Sequence, residues 1–384
     1  MKNCFIKTFG CQANKADSER MAAHYKSQGY TLVDDWRKSS LIIINTCSVR
    51  QRAEDRVIGL VRNIDAYFTE KSLKRPKVII TGCILHLPKK ELKRIFPTVD
   101  EFSDLNLKIG FNENSVRQDK KHAWIPISSG CNSFCSYCVV PYARGKEISR
   151  PMKDILCEAE KLLSQGYEQI TLLGQNVNSY GLDQLTIKNR KLHLSQPSVE
   201  LDKDFYQSFV KRSGDTPPFV LLLQELSKLK GLKKIYFMTA NPWDFWDELI
   251  DEIAVNKKID RYIHLPIQSG SDRILKLMNR GYTTADYLKL VKKIQTKIPD
   301  VVLGTDIIVG FPGETEKDFQ DTINLVKQID FKIGFVAQYS PRPGTAAFKI
   351  YPDDIPPAIK KKRWEKLDKI INKDNLNQRP ELKL

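Results

Sequence analysis

The sequence predicts an α/β protein in which an open parallel α/β sheet domain is followed by a partial barrel of six β/α units. In residues 1–118, short apolar strands alternate with helical patterns, an order typical of parallel sheets. In residues 119–350 the alternation recurs six times, fewer than the eight units of a closed barrel. The chain has 384 residues, 41% of them hydrophobic, which is enough to bury one large core or two ordinary ones.

The first part contains three predicted strands and two predicted helices. The strands are expected at 4–9, 41–44 and 78–80, and the helices at 18–28 and 53–68. Cys11, Cys47 and Cys83 each follow one of these strands within three residues. Because the carboxyl ends of parallel strands meet at one edge of a sheet, where α/β folds place their ligands, we expect the three cysteines at that edge.

The second part contains six predicted strands with helices between them. The strands are expected at 123–127, 169–173, 234–238, 262–265, 302–309 and 335–339, and the helices include 155–165, 220–230, 245–254, 274–278 and 319–328. Residues 183–218 form a long polar stretch, which we interpret as a surface insertion. Residues 351–384 form a basic tail with a predicted helix at 360–372.

The charge of the chain points to a polyanionic partner. Lysine and arginine total 62 against 46 acidic residues, which gives a formal net charge of +16. The apolar runs are much shorter than the roughly 20 residues needed to span a bilayer, and the first ten residues lack a signal-peptide core. We therefore expect a cytoplasmic protein without a membrane partner. Its eight cysteines are then metal ligands, nucleophiles or buried residues rather than four disulfides.

Three of the cysteines form a tight group directly after the first strand of the second part. Cys131, Cys135 and Cys138 have the spacing C-x3-C-x2-C, and no further cysteine or histidine follows within the next fifteen residues. A structural zinc ion usually has four protein ligands. Three thiolates on a four-iron cluster would leave one iron open to chelate a small molecule. A zinc site completed by a distant histidine, or incidental cysteines, remain the alternatives.

Cys11, Cys47 and Cys83 form a wide group, spaced by 36 and 36 residues. Scattered cysteines are more often buried packing residues, but the shared position after parallel strands favours a common site. We interpret the remaining two, Cys4 and Cys157, as core residues without chemistry.

The cysteine segments resemble a known family. Residues 130–145 are similar to the radical S-adenosylmethionine (SAM) loop of the methylthiotransferases, and residues 8–14, 17–19, 45–50 and 81–83 are similar to that family's N-terminal motifs, with Ala13 where a methionine is common. The resemblance implies that the tight group holds a 4Fe–4S cluster whose open iron binds SAM, which is cleaved to a 5′-deoxyadenosyl radical. It also implies that the wide group holds an auxiliary 4Fe–4S cluster that supplies or carries the sulfur.

Four further segments point to one branch of this family. Residues 172–180, 264–271, 310–314 and 339–345 resemble the branch that converts N6-isopentenyladenosine at tRNA position 37 to its 2-methylthio derivative. The implied partners are the tRNA anticodon loop, an electron donor such as flavodoxin or ferredoxin, and a sulfur donor. The alternatives are methylthiolation of threonylcarbamoyladenosine in tRNA or of a ribosomal protein aspartate, and more remotely a zinc-containing nucleic-acid-binding protein.

The SAM contacts are expected near the ends of the barrel strands, where such barrels build their sites. The candidates are Tyr137, Gly174, Gln175, Asn176, Gln268, Ser269 and Gly310. The alternative for the glycines is that they only turn the chain. Beyond the cluster ligands, the sequence identifies no catalytic residue. The family usually ends in a small RNA-binding β-barrel, which we expect to be absent here, and the 183–218 insertion is a hypothetical substitute for it.

Overall fold

The structure is a computed structural model that describes residues 2–48, 51–104, 109, 119, 121–184 and 216–372. The chain divides into two compact units. The first comprises Met1–Lys120 together with Cys138–Lys146, and the second comprises Lys121–Tyr137 and Glu147–Leu384. A short segment of the second half of the sequence therefore belongs to the first unit.

The first unit is built on a five-stranded parallel sheet with the strand order β2-β1-β3-β4-β5. Its elements are β1 (Asn3–Phe9), α1 (Gln12–Ser27), β2 (Thr31–Leu32), β3 (Leu41–Thr46), α2 (Gln51–Glu70), β4 (Lys77–Gly82), α3 (Lys89–Ile95), β5 (Glu101–Phe102) and α4 (Val140–Arg144). Phe9 of β1 pairs with Thr46 of β3, which pairs with Gly82 of β4. The last residues of the three central strands therefore lie side by side.

The central strand β3 is buried along its whole length because helices cover both faces of the sheet. Ile42 and Ile44 pack in one cluster with Val57 and Ile64 of α2. Ile43 belongs to a second cluster, which also contains Met21 of α1. Successive strand residues thus point to opposite faces, as strand geometry requires.

In its described residues, the second unit contains six parallel strands in two three-stranded sheets, with the orders β10-β9-β6 and β11-β12-β13. Its strands are β6 (His122–Pro126), β7 (Ser128–Ser129), β8 (Ile148–Ser149), β9 (Gln169–Leu173), β10 (Lys234–Phe237), β11 (Tyr262–His264), β12 (Val302–Val309) and β13 (Phe331–Gln338), of which β7 and β8 form a separate antiparallel pair. Its helices are α5 (Met152–Ser164), α6 (Pro218–Lys228), α7 (Asp247–Val255), α8 (Asp272–Leu277), α9 (Thr284–Lys297), α10 (Glu316–Gln328), α11 (Ala346–Ile350) and α12 (Pro357–Asn372). One continuous hydrophobic core joins the strands to the surrounding helices.

The predicted α/β fold class is confirmed, because the strands of the parallel sheets alternate with helices along the chain in both units. The nine strands predicted from the sequence are present, two with the predicted ends (169–173 and 302–309) and seven with shifted ends. The start of α1 was predicted at residue 18, but the helix begins at Gln12. Its first half buries polar side chains such as Asn14, Asp17 and Arg20, so no apolar periodicity marks it. The elements that were not predicted are the two-residue strands β2, β5, β7 and β8 and the helices α3, α4, α9 and α11.

The predicted tail helix at 360–372 lies within α12. Most of the predicted insertion, residues 185–215, and the chain beyond residue 372 lie outside the described residues. Within the described ranges, the helices are too short or too polar to cross a bilayer.

Candidate active site

The wide cysteine group lies at the carboxyl edge of the five-stranded sheet. Cys11 is the residue that precedes α1, Cys47 follows β3, and Cys83 opens the short helical turn after β4. The thiols of Cys47 and Cys83 form a hydrogen bond, and both residues are buried, whereas Cys11 is exposed. The common edge expected from the sequence is therefore where the structure places the three residues.

The backbone before Cys83 requires a glycine. Gly82 has a φ of 94°, and a Cβ atom there would lie 2.4 Å from the carbonyl oxygen of Thr46. Only a residue without a side chain fits both the left-handed conformation and the close approach of β3. Gly82 thus determines where Cys83 stands.

A buried amide network supports the other two cysteines. Asn45, the neighbour of Thr46 in β3, donates through Nδ2 to the Asn14 carbonyl at 2.8 Å and to Ser18 Oγ at 3.0 Å. Asn14 donates through its own Nδ2 to Asn45 Oδ1 at 3.0 Å. The Cys11 thiol donates to Asn14 Oδ1 at 3.3 Å. The first turn of α1 is therefore tied to the strand that ends before Cys47.

A buried arginine contacts the wide group. Arg144 donates through Nε to the sulfur of Cys83 at 3.5 Å and through Nη2 to Asp17 at 2.9 Å. The pKa of Cys83 is lowered to about 6, mainly by the hydrogen bond with Cys47 and also by the charge and hydrogen bond of Arg144, while burial opposes this shift. These contacts therefore favour the thiolate of Cys83, which is the form that binds iron, whereas burial raises the pKa of Cys11.

In the tight group, Cys131 receives two hydrogen bonds. The Nδ2 atom of Asn176 donates to its sulfur at 3.3 Å, and the backbone N–H of Ser133 donates at 3.4 Å. Asn176 also donates to Ser133 Oγ at 2.9 Å. Burial and the neighbouring Cys135 raise the pKa of the free Cys131 thiol to about 11. A deprotonated sulfur at this position therefore needs a positive partner such as iron.

Cys135 receives a hydrogen bond from a second buried arginine. Arg280 Nη1 donates to the Cys135 sulfur at 3.2 Å, and its guanidinium lies 4.7 Å from the centre of the Trp243 ring. The loop itself is held by backbone hydrogen bonds from Ser136 to Met278 and from Ala347 to Ser136. Cys138, the third ligand candidate, belongs to the first unit, where the Val140 N–H donates to its sulfur at 3.4 Å.

The predicted SAM contacts fall into two sets. Gly174, Gln175 and Asn176 follow β9, and a Cβ atom on Gly174 would lie 2.7 Å from Ser128 Oγ. Tyr137 is partly buried and packs against the small cluster that contains Met278. These four residues keep the position after a strand or beside the cysteine loop that the prediction gave them.

Gln268, Ser269 and Gly310 have internal contacts in this structure. Gln268 has a φ of 72° and its N–H donates to the Asp306 carbonyl, while Ser269 Oγ accepts from the Ser271 N–H at 3.2 Å. Gly310, with a φ of 70°, donates to Glu314 Oε2 at 2.7 Å, and a Cβ atom there would lie 2.4 Å from a Lys360 side-chain carbon. In this structure, the three residues therefore make contacts that shape the backbone after the strands.

Several residues that contact the two cysteine groups were not predicted from the sequence. Asp17 and Arg144 lie inside the segments that resemble the family. Their position in these segments could have marked them as site residues, but the sequence alone gave them no role. Arg280 carries no local signal, because only folding brings it to Cys135.

A buried acidic pair near the tight group was also missed. Glu147 donates its backbone N–H to Asn132 of the cysteine loop, and its Oε1 atom is buried and has no hydrogen-bond partner among the described residues. Burial, aided by the charges of Asp244 and Asp183, raises the pKa of Glu147 to about 8. Burial also raises the pKa of Asp244 to about 6, although Ser179 and Asn241 donate to it. Glu147 therefore carries a proton over much of the neutral range.

Both cysteine groups offer thiols and sulfur-directed hydrogen-bond donors of the kind that iron–sulfur clusters use. All eight cysteines are free thiols. In the part of the chain that the structure describes, no three cysteine, histidine or acidic side chains are arranged to hold one metal ion. A zinc ion would draw its sulfurs to about 2.3 Å from a common centre, whereas a cluster seats each sulfur on its own iron. Hydrogen bonds from N–H groups to the sulfurs, seen in both groups, are typical of cluster sites.

Two family models match the chain. Residues 125–326 match the Radical SAM superfamily, and residues 3–103 match a family described as Uncharacterized protein family UPF0004. The first match runs from the last residues of β6 through β12 and most of α10 and includes the cysteine loop, and the second covers the five-stranded sheet.

Relatives with established names are similar over nearly the whole chain. The tRNA-2-methylthio-N(6)-dimethylallyladenosine synthase of Thermotoga petrophila is 40% identical over 398 residues, which cover 98% of this chain and 83% of the relative. The synthase of the same name from Clostridium botulinum (strain Hall) is 40% identical, with 96% of this chain and 81% of the relative covered.

Solved structures share the fold at low identity. The radical S-adenosylmethionine methyltransferase TsrM from Kitasatospora setae has a TM-score of 0.55 at 14% identity, with 91% of this chain and 77% of that chain covered. The cobalamin-dependent S-adenosylmethionine radical enzyme OxsB has a TM-score of 0.56 at 9% identity, covering 97% of this chain and 56% of that chain. At these identities the comparison supports the arrangement of the strands and helices alone.

Proposed function

We propose an activity for this chain from the family to which it belongs, the radical SAM tRNA-2-methylthio-N(6)-dimethylallyladenosine synthases. The chain converts N6-isopentenyladenosine at tRNA position 37 to the 2-methylthio derivative. The observation that carries this proposal is the 40% identity to the Thermotoga petrophila synthase over 98% of the chain. The protein is accordingly a transferase of a sulfur-containing group.

The family uses a 4Fe–4S cluster with SAM, and the named synthases carry a second, auxiliary cluster. We assign the SAM-binding cluster to Cys131, Cys135 and Cys138, and the auxiliary cluster to Cys11, Cys47 and Cys83. When bound, these groups supply reductive cleavage of SAM to a carbon radical and the sulfur that is methylated and transferred. The protein contributes the positions and the electrostatic surroundings of both cysteine groups.

The residues around the tight group have separate tasks in this proposal. Asn176 holds the cysteine loop through Cys131 and Ser133, and Arg280 offsets negative charge at Cys135. Tyr137 and Gln175 are the side chains that we assign to the bound SAM. The carboxyl of Glu147, protonated below a pKa of about 8, is an available donor at the base of the same loop.

The partners follow from the chemistry. The named relatives modify tRNA, and radical SAM enzymes need a reductant. The net charge of +16 suits a tRNA phosphate backbone, and a base must leave its stack to reach the strand ends of a barrel. We propose the anticodon loop as the bound part of the tRNA, a flavodoxin or ferredoxin as reductant, a separate sulfur donor, and the cytoplasm as the compartment.

The first test is the metal content of the anaerobically reconstituted protein. Two clusters predict about eight irons with matching sulfide per chain, and about four after replacement of either cysteine group by alanine. Zinc without sulfide would contradict the proposal and favour a zinc-containing binding protein.

The second test separates the possible substrates. The reconstituted protein is incubated with SAM, a chemical reductant and tRNA that carries isopentenyladenosine, threonylcarbamoyladenosine or unmodified adenosine at position 37. We expect a mass increase for the methylthio group only in the isopentenylated tRNA. A product from the threonylcarbamoylated tRNA, or from a ribosomal protein, would assign the chain to another branch.

A further inference from the structure

Arg144 lies beside the wide cysteine group although it follows the tight group in the sequence. It is the last residue of α4, a helix that belongs to the first unit together with β1, β3 and β4. Its side chain is only 10% exposed. A buried guanidinium must find partners for its donors, so the identity of these partners indicates what the residue does.

The two partners of Arg144 differ in kind. One is the carboxylate of Asp17, at 2.9 Å from Nη2, and the other is the sulfur of Cys83, at 3.5 Å from Nε. The second oxygen of Asp17 accepts from Arg20 at 2.5 Å. Asp17 therefore fixes the guanidinium from one side and leaves its Nε edge facing the sulfur.

A neutral thiol is a weak acceptor for such a donor. The guanidinium is positively charged, so a negatively charged acceptor adds an electrostatic attraction to the hydrogen bond that a neutral acceptor lacks. The contact is therefore most favourable when Cys83 is a thiolate or a ligand of a negatively charged cluster. Nothing comparable is gained if Cys83 is only a packing residue.

We infer that Arg144 is a positioning residue of the auxiliary site, which holds Cys83 for cluster binding and, through its positive charge, raises the reduction potential of the cluster bound there. The inference rests on the proposed function, because it requires a cluster on Cys11, Cys47 and Cys83. A nearby positive charge stabilises the reduced form, which is the more negative one, so its loss lowers the potential.

The same unit provides a matched control. Arg75 is also paired with two partners, Asp65 at 2.7 Å and Asp100 at 2.9 Å. It precedes β4, whereas Cys83 follows this strand at its other end. A six-residue strand separates the two ends by about 20 Å, so the charge of Arg75 is screened from the cluster.

The experiment uses the full chain with Cys131, Cys135 and Cys138 replaced by alanine, so that only the auxiliary cluster is loaded. Iron, sulfide and the midpoint potential, followed by electron paramagnetic resonance, are measured for Arg144→Gln, Arg144→Lys and Arg75→Gln. We expect Arg144→Gln either to lose the cluster with the fold retained or to keep it at a more negative potential. Arg75→Gln should match the unsubstituted protein.

Arg144→Lys keeps the charge but cannot engage Cys83 and Asp17 through one planar fork, and an intermediate potential is expected. If circular dichroism shows that Arg144→Gln is unfolded, the iron content and potential of Arg144→Lys test the inference instead. An unchanged iron content and potential in the folded Arg144 variants would overturn the inference, as would an equal shift in Arg75→Gln. Absence of iron from the Arg144-containing parent would instead contradict the proposed function.

Discussion

Arg280 donates a hydrogen bond from Nη1 to the sulfur of Cys135 over 3.2 Å, although the two residues are 145 positions apart in the sequence. The guanidinium is enclosed by the rings of Trp243 and Tyr282. Its only oxygen partners in the described part of the chain are the Tyr282 hydroxyl and the Pro266 carbonyl. Arg280 is therefore held by neutral groups and keeps its full charge toward Cys135, whereas Arg144 shares its charge with Asp17.

Arg280→Lys should loosen the cluster on the tight group. Loss of one charged hydrogen bond is worth about 1.5–3 kcal/mol, which corresponds to a release of iron faster by roughly tenfold or more. The measurement is the rate of iron loss to a chelator in a chain whose wide group is replaced by alanine. Arg273→Lys is the control, because this half-exposed arginine of the same unit pairs with Asp318. Equal rates for the two variants would contradict the role of Arg280.

Gly82→Ala should reduce binding of iron to the wide group. The new Cβ atom would lie 2.4 Å from the Thr46 carbonyl, so β4 or Cys83 has to move. Gly29 has a similar φ of 81° but open space around its Cβ position. Gly29→Ala therefore carries only the backbone strain, about 1–2 kcal/mol. We expect iron content to fall from about eight to about four per chain in Gly82→Ala alone, measured at equal folded fraction, and retention of about eight irons would contradict the prediction.

Glu147→Gln should change the pH dependence of stability. The folded pKa of about 8 exceeds the ordinary value of 4.5, so the folded state holds a proton that the unfolded state releases. Stability is therefore lost as the pH rises from about 4.5 to about 8, by a few kcal/mol at most. Because glutamine stays neutral, the melting temperature of Glu147→Gln relative to the unsubstituted protein should increase across this range. The exposed Glu248→Gln is the control. A constant offset for Glu147→Gln between pH 5 and 9 would count against the assignment.

Arg363→Met should destabilise the second unit. Arg363 Nη1 and Glu314 Oε2 lie 2.7 Å apart, and both side chains are buried. Removal of one partner of a buried ion pair costs about 3–5 kcal/mol, because the other charge stays buried. Urea unfolding should show this loss, and Arg363→Met combined with Glu314→Gln should recover part of it. If Glu314→Gln lowers the free energy of unfolding as much in the Arg363→Met background as it does alone, the two residues act independently and the prediction is wrong.

The sequence was a good guide where side-chain patterns are local. The apolar runs at 41–44 and 78–80 mark buried strands, and this placed Cys47 and Cys83 at one sheet edge. It was a poor guide to α1, whose first turns bury polar side chains, because hydrophobic periodicity is the signal that identifies a helix.

The arginine contacts to Cys83 and Cys135 lay beyond sequence reasoning for a different reason. Each joins residues that are distant in the chain, and an arginine in a basic protein has many alternative partners. A local motif does not specify such long-range contacts. The sequence therefore identified the cysteines but not the arginines that donate hydrogen bonds to them.

The chain passes from one unit to the other three times, because Cys138–Lys146 returns to the first unit after β6 has begun the second. The first unit is therefore not fully synthesised until after the first strand of the second unit has been made. The five strands of the first sheet leave the ribosome early, but α4, with Arg144, emerges only after the first barrel strand. Folding of the first unit during translation therefore has to wait for part of its neighbour, and a gene fragment that ends at residue 120 encodes a sheet without the arginine that faces Cys83.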